Sequence, residues 1–213
     1  IPRRQRQMCI RDSVTSNLLH IEHNTRAMAI GEYWLGSASQ VENLICINVR
    51  TGISAAIISE GRLIRGTHEL AGEVRGWTVI SENNTSPKPV WLEDRATVRA
   101  ISPNSVTTPE AWNEFVSNCR DGDLEALKQL SEIVKHHGDT VARLAQVTDP
   151  EMVVFAGSFN DIGDLYLDQV REATAIALLG QFVPPPPIKF VSLGHCTGAH
   201  GAAALAAEQF KLA

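Results

Sequence analysis

Leu44 to Val49 (LICINV) and Ser54 to Ser59 (SAAIIS) are apolar runs joined around Arg50, Thr51 and Gly52, a spacing that leaves room for a turn and little else. Glu60 and Gly61 turn the chain again before Arg62 to Ile64, so the three segments open a β-meander. Asn17 to Glu22 reads as a short strand before a helix with Asn24 as its N-cap and Ala27, Ile30 and Trp34 at helical spacing. Trp77 to Ile80 adds a strand, and SENNTSPKP is a loop. Thr108 and Pro109 start a helix with Trp112, Phe115, Val116 and Cys119 on one face. A second helix follows Asp123, with Leu127, Leu130, Val134 and Val141 spaced for burial and a break expected at Gly138. Met152 to Ala156 is an apolar strand that ends in Gly157 and feeds a helix from about Asp161 to Leu179. The proline run at 184–187 stiffens the approach to a strand from Ile188 to Ser192, and Gly194 leads into an Ala-rich helix. Strands with interleaved helices define an α/β fold.

With 44% hydrophobic residues in 213, the chain can bury a substantial core. It has no run of about eighteen apolar residues and no apolar stretch after the first arginines, so the expected address is the cytoplasm, with no membrane partner. Cys9, Cys46, Cys119 and Cys196 stand far apart without a CxxC pair, which speaks for a reduced compartment and against a structural zinc. Residues 1–13 carry four arginines and one aspartate, so the net charge of −5 leaves −8 on the rest. An acidic body of that kind does not bind nucleic acid by itself. The first thirteen residues lack any apolar period and resemble a translated sequencing adapter, so they are expected to be non-native and the domain to run over 14–213. The rival reading is a basic arm touching nucleic acid.

Several segments, in order, resemble motifs of the ROK (repressor, open reading frame, kinase) family. IEHNTRAMAIGEYWLG is similar to its ENDANxxALGE element, and INVRTGISAAIISEGRLIRGTHELAGEVRGW to its glycine-rich signature. VWLED resembles the stretch ending in GCLE, VVFAGSF the nucleotide-side strand, and SLGHCTGAHGAAALA the closing helix. The resemblance implies the actin-like ATPase, or ribonuclease H-like, sugar-kinase fold with sugar in its cleft, represented mostly by the carboxy-terminal lobe. It also implies homo-oligomers.

In ROK kinases the aspartate of NDAN is the general base toward the sugar hydroxyl; Asn24 stands there, after His23 at a sugar-contacting position, and an amide cannot accept that proton. The phosphate-loop run GTGIG is Arg50, Thr51, Gly52, Ile53 and Ser54, so Thr51, Gly52 and Gly157 are what remains of a nucleotide-phosphate region. The zinc positions hold Gly76, Asn84, Ser86 and Trp91, none of them a ligand for a tetrahedral zinc site. Glu73 and Glu93 are retained, and the resemblance makes both sugar-binding, together with His23 and Asn24. The bland alternative is a turn residue and a solvated helix-start charge.

His136 and His137 point about 100° apart on a helix and are expected to be a solvated pair. His195, Cys196 and His200 lack a third orienting group, and the four tryptophans are expected to serve core packing. The expected function is the sugar-sensing effector domain of a ROK transcriptional regulator, which binds a hexose or derivative without phosphorylating it. Its partners are the sugar and, through a missing upstream helix-turn-helix domain, DNA. No cofactor is expected; ATP and Mg enter only under the alternative of a hexose or N-acetylhexosamine kinase. A catalytically dead scaffold is the third reading. Losing a general base costs about a hundredfold to ten-thousandfold in rate, so the sequence argues against the kinase.

Overall fold

The computed structural model describes residues 21–80, 89–101, 108–180 and 184–210. The chain builds β1 (Leu44–Val49), β2 (Ile53–Ser59), β3 (Arg62–Ile64), β6 (Met152–Gly157) and β7 (Ile188–Phe190) into one sheet of order β3-β2-β1-β6-β7. β1, β2 and β3 form the expected antiparallel meander, while β6 runs parallel to β1 and β7 parallel to β6. A separate ribbon pairs β4 (Thr78–Ile80) with β5 (Pro89–Trp91). The helices are α1 (Asn24–Leu35), the single turn α2 (Leu92–Arg95), α3 (Pro109–Asp121), α4 (Leu124–Thr148), α5 (Asp164–Ala177) and α6 (Thr197–Phe210).

Every residue of β1 is buried because helices cover both faces of the sheet. Leu44, Cys46, Met152, Val154 and Ala156 turn toward α1 and α6, whereas Ile45, Ile47, Val49, Val153 and Phe155 turn toward α4 and α5, with α3 beyond. The period-two alternation of strand side chains thus sorts one apolar sequence into two cores.

Local chemistry sets most helix ends. Thr108 accepts the Ala111 N–H at 3.2 Å with Pro109 in the first turn, and the Asp123 carboxylate accepts the Glu125 and Ala126 N–H groups. Other expectations are corrected. The cap of α1 is His23 and not Asn24, since the Ala27 N–H bonds the His23 carbonyl at 3.0 Å. Of the strand expected over Asn17 to Glu22, residues 17–20 lie outside the described residues, and Ile21 and Glu22 are irregular. The helix expected from Asp161 begins at Asp164, because a 3-10 turn over Ser158–Ile162 ends at Gly163 with φ of 82°. β7 stops at Phe190: the Ser192 and Leu193 N–H groups turn to the Glu32 carboxylate at 2.6 and 2.9 Å. Gly138 does not break α4; a Cβ there would lie 2.6 Å from the Ala173 Cβ, so the glycine lets α4 and α5 touch.

Candidate functional site

The register of the sheet creates the site. Val49 pairs with Gly157, so the parallel strands β1 and β6 end side by side, and ligands of open α/β sheets collect outside such carboxyl ends. A Cβ on Gly157 would lie 2.0 Å from the Val49 carbonyl oxygen, and its φ is 111°, so the position admits glycine alone. The Arg50–Gly52 turn leaves the same edge, closed by the Arg50 N–H on the Gly52 carbonyl at 2.9 Å, which brings Thr51, Gly52 and Gly157 to one rim.

The start of α1 is fixed over this rim by the Thr25 and Ser54 hydroxyls, 2.6 Å apart. Asn24 is exposed, with its Oδ1 2.8 Å from where a Cβ on Gly198 would stand at the head of α6. Glu73 reaches the same place because Gly72 is pressed onto β2: the Ala55 N–H bonds the Gly72 carbonyl at 2.8 Å, and a Cβ on Gly72 would lie 1.9 Å from the Ala55 oxygen. Glu73 Oε1 then sits 3.6 Å from His23 Nε2, and its Oε2 3.7 Å from Arg75 Nε.

Buried Arg26 holds the preceding loop, donating to the Glu69 carbonyl at 2.8 Å and pairing with Glu22 at 3.3 Å. Burial pushes the Glu22 carboxyl upward, but the His23 N–H and the Arg65 and Arg26 guanidinium groups outweigh it and hold the group below the usual carboxylate range. Glu93 approaches from the other side: its Oε1 lies 2.9 Å from the Cβ position of Gly52, and its Oε2 3.7 Å from Arg99 Nη1. The Val98 N–H on the Arg50 carbonyl, at 3.1 Å, ties this segment to the turn.

The structure therefore gathers His23, Asn24 and Glu73 at the start of α1, and Glu93 with Thr51 and Gly52 at the turn. Of the zinc positions, Gly76 has no side chain to offer and the Trp91 indole is no ligand, while Asn84 and Ser86 lie outside the described residues. These residues do not fit zinc. Among the described residues no three His, Cys, Asp or Glu side chains gather as a metal site.

Two expectations fail here. His137 is wholly buried rather than solvated, and only His136 reaches the surface. Trp34 and Trp91 are 39% and 62% exposed, so core packing describes Trp112 but not them. His195, Cys196 and His200 are exposed, and the His200 Nδ1 bonds the Cys196 carbonyl at 3.0 Å, a helix-start contact. Sequence reasoning missed Arg26, whose one signal is Glu22 four positions earlier, and Glu32, which bonds Ser37 nearby but is anchored by Ser192 and Leu193, 160 and 161 positions away.

A mixed sheet between two helical layers, with its rim built from strand ends, a glycine turn and a helix start, is the actin-like ATPase fold of sugar kinases. The family model for the ROK family matches residues 14–209, and the chain belongs to that family. A glucokinase of Streptomyces coelicolor is 28% identical over 88% of this chain and 67% of its own length. A xylose repressor of Caldicellulosiruptor bescii is 27% identical over 72% of this chain and 43% of its own. The ROK glucokinase of Streptomyces griseus in complex with glucose and AMPPNP superposes with a TM-score of 0.74 at 26% identity, covering 88% of this chain and 68% of that one. The chain thus spans between about two fifths and two thirds of these relatives' lengths. No helix among the described residues is long and apolar enough to cross a membrane.

Proposed function

We propose that this chain is the sugar-sensing effector domain of a ROK transcriptional regulator, and that it binds a hexose or a derivative without phosphorylating it. The observation that carries this reading is Asn24: it is exposed at the head of α1 beside the His23–Glu73 pair, where a kinase needs a carboxylate to take the hydroxyl proton. Arg50 and Ser54, in place of two glycines of that run, also put side chains where the backbone would have to approach a triphosphate closely. His23, Asn24, Glu73 and Glu93 bind the sugar on this reading, no zinc is bound, and operator DNA is reached through an upstream domain of a cytoplasmic homo-oligomer.

The xylose repressor among the relatives supports this assignment. The glucokinases, with the retained Thr51, Gly52 and Gly157, favour an ATP-dependent sugar kinase as the second reading.

Calorimetric titration with glucose, xylose and N-acetylhexosamines is expected to find a ligand, and Glu73→Gln to weaken it by about tenfold or more, the worth of a charged hydrogen bond to a hydroxyl. An ADP-release assay with the same sugars and ATP is expected to stay at background. Turnover near about 1 per second, the ordinary kinase range, overturns the regulator in favour of the kinase. A ligand that Glu73→Gln and Glu93→Gln both bind within about twofold of the parent makes the carboxylates structural.

A further inference from the structure

His137 lies in the middle of α4, wholly buried, with its ring edge-on to Phe159 and Tyr166. A buried imidazole must satisfy both nitrogens. Its Nε2 is 2.7 Å from the Ala96 carbonyl, which can only accept, so Nε2 carries the hydrogen. Its Nδ1, 3.0 Å from the Tyr166 hydroxyl, then accepts. Burial drives the imidazole pKa down to about 4, which keeps this neutral form across the physiological range.

What the bond holds is the segment that carries Glu93. α2 is a single turn of four residues with no side-chain cap, too short to fix its own direction. It is pinned at its start by the Leu92 N–H on the Trp77 carbonyl at 2.8 Å, and at its end by Ala96. From Ala96 the chain continues into two contacts with the site. The Thr97 hydroxyl bonds the Glu93 carbonyl at 2.8 Å, and the Val98 N–H bonds the Arg50 carbonyl.

We propose that His137 is a positioning residue for the ligand site: by holding the Ala96 carbonyl it aims Glu93 at Gly52 and fixes the Arg50–Gly52 turn. The proposal rests on the reading of that rim as the ligand site. It adds that the Glu93 side of the rim is set from the aromatic core, through the Ala96 carbonyl.

The test compares His137→Gln, whose amide nitrogen falls where Nε2 stands, with His137→Leu, which fills similar space without a donor. Hydrogen–deuterium exchange on the unliganded chain is expected to show residues 92–99 and 50–54 exchanging about tenfold or more faster in His137→Leu, normalised to β1 and β6, with His137→Gln within about threefold of the parent. Equal loosening in both variants, or unchanged exchange at 92–99 in the leucine variant, overturns the proposal. The parent supplies a measurement that survives misfolding of either variant: nitrogen chemical shifts of the His137 ring must place the hydrogen on Nε2, and a hydrogen on Nδ1 sinks the idea. Both measurements are made without sugar, so their failure leaves the sugar reading standing, while the Glu73→Gln titration can sink that reading and leave this one untouched.

Discussion

On one face of the central sheet α1 and α6 meet backbone to backbone; on the other, rings fill the space between the sheet and its helices. A Cβ on Gly201 would stand 1.6 Å from the Ala27 carbonyl oxygen, and one on Gly31 2.6 Å from that of Thr197, so the first face has no slack. The second face holds Phe155, Phe159, Tyr166 and His137, with Trp112 and Phe115 beyond, ring against ring at centroid separations of 5.2 to 6.0 Å. The first face also buries charge. Glu32 is wholly buried, and its carboxylate receives the Ser192 and Leu193 N–H groups and the Ser37 and Ser192 hydroxyls. Close backbone contact fixes distances between main chains, whereas packed rings fix shape through volume. The candidate site draws on both: the first face places His23 and Asn24, and the second reaches Glu93 through Ala96.

The sharpest break of this contrast is Gly201→Val. With no space even for a Cβ, the side chain must drive α1 and α6 apart, an effect expected to exceed ~4 kcal/mol and to abolish the cooperative thermal transition. A variant that unfolds within a few degrees of the parent would show that the helix pair can slide. Phe155→Ala tests the ring-filled face, where the fault is a void instead of a clash. Phe155 is 1% exposed, and its loss is expected to cost about 3–5 kcal/mol in urea titrations while the chain still folds. A cost below about 1 kcal/mol would mean that the surrounding rings collapse into the space.

The smallest of the three effects is acid sensitivity. Folding lowers the His137 pKa from 6.5 to about 4, so between these values the unfolded chain binds a proton that the folded chain refuses. The His137 contribution to stability is therefore expected to fall as pH drops from 6.5 toward 4, by about 3 kcal/mol, and to level off below that as both states protonate. Glu22, held below 4.5 in the fold, adds a loss in the same direction only at lower pH. Denaturant titrations of His137→Gln should lack the limb between pH 6.5 and 5. A variant as acid-sensitive as the parent there would move the effect off the aromatic face.

Most strands and helices, and the family, were legible in the sequence, although several element ends were not. Leu44 to Val49 and Met152 to Ala156 stood out as apolar strands, Thr108 and Asp123 announced two helix starts, and Gly52, Glu73, Glu93 and Gly157 stood in readable motifs. These are signals carried within a few residues, where side-chain period and turn chemistry act. Tertiary structure alone decided that His137 is a core group, that Gly138 joins helices instead of breaking one, and that Trp34 and Trp91 face outward. It also decided that Arg26 and Glu32 are anchors. The physical reason is the separation of the partners: His137 depends on Tyr166 and Ala96, 29 and 41 positions away, and Glu32 on Ser192, 160 positions away. His137 and Glu32 are satisfied in the core because such distant groups converge on them, and no local pattern encodes that convergence.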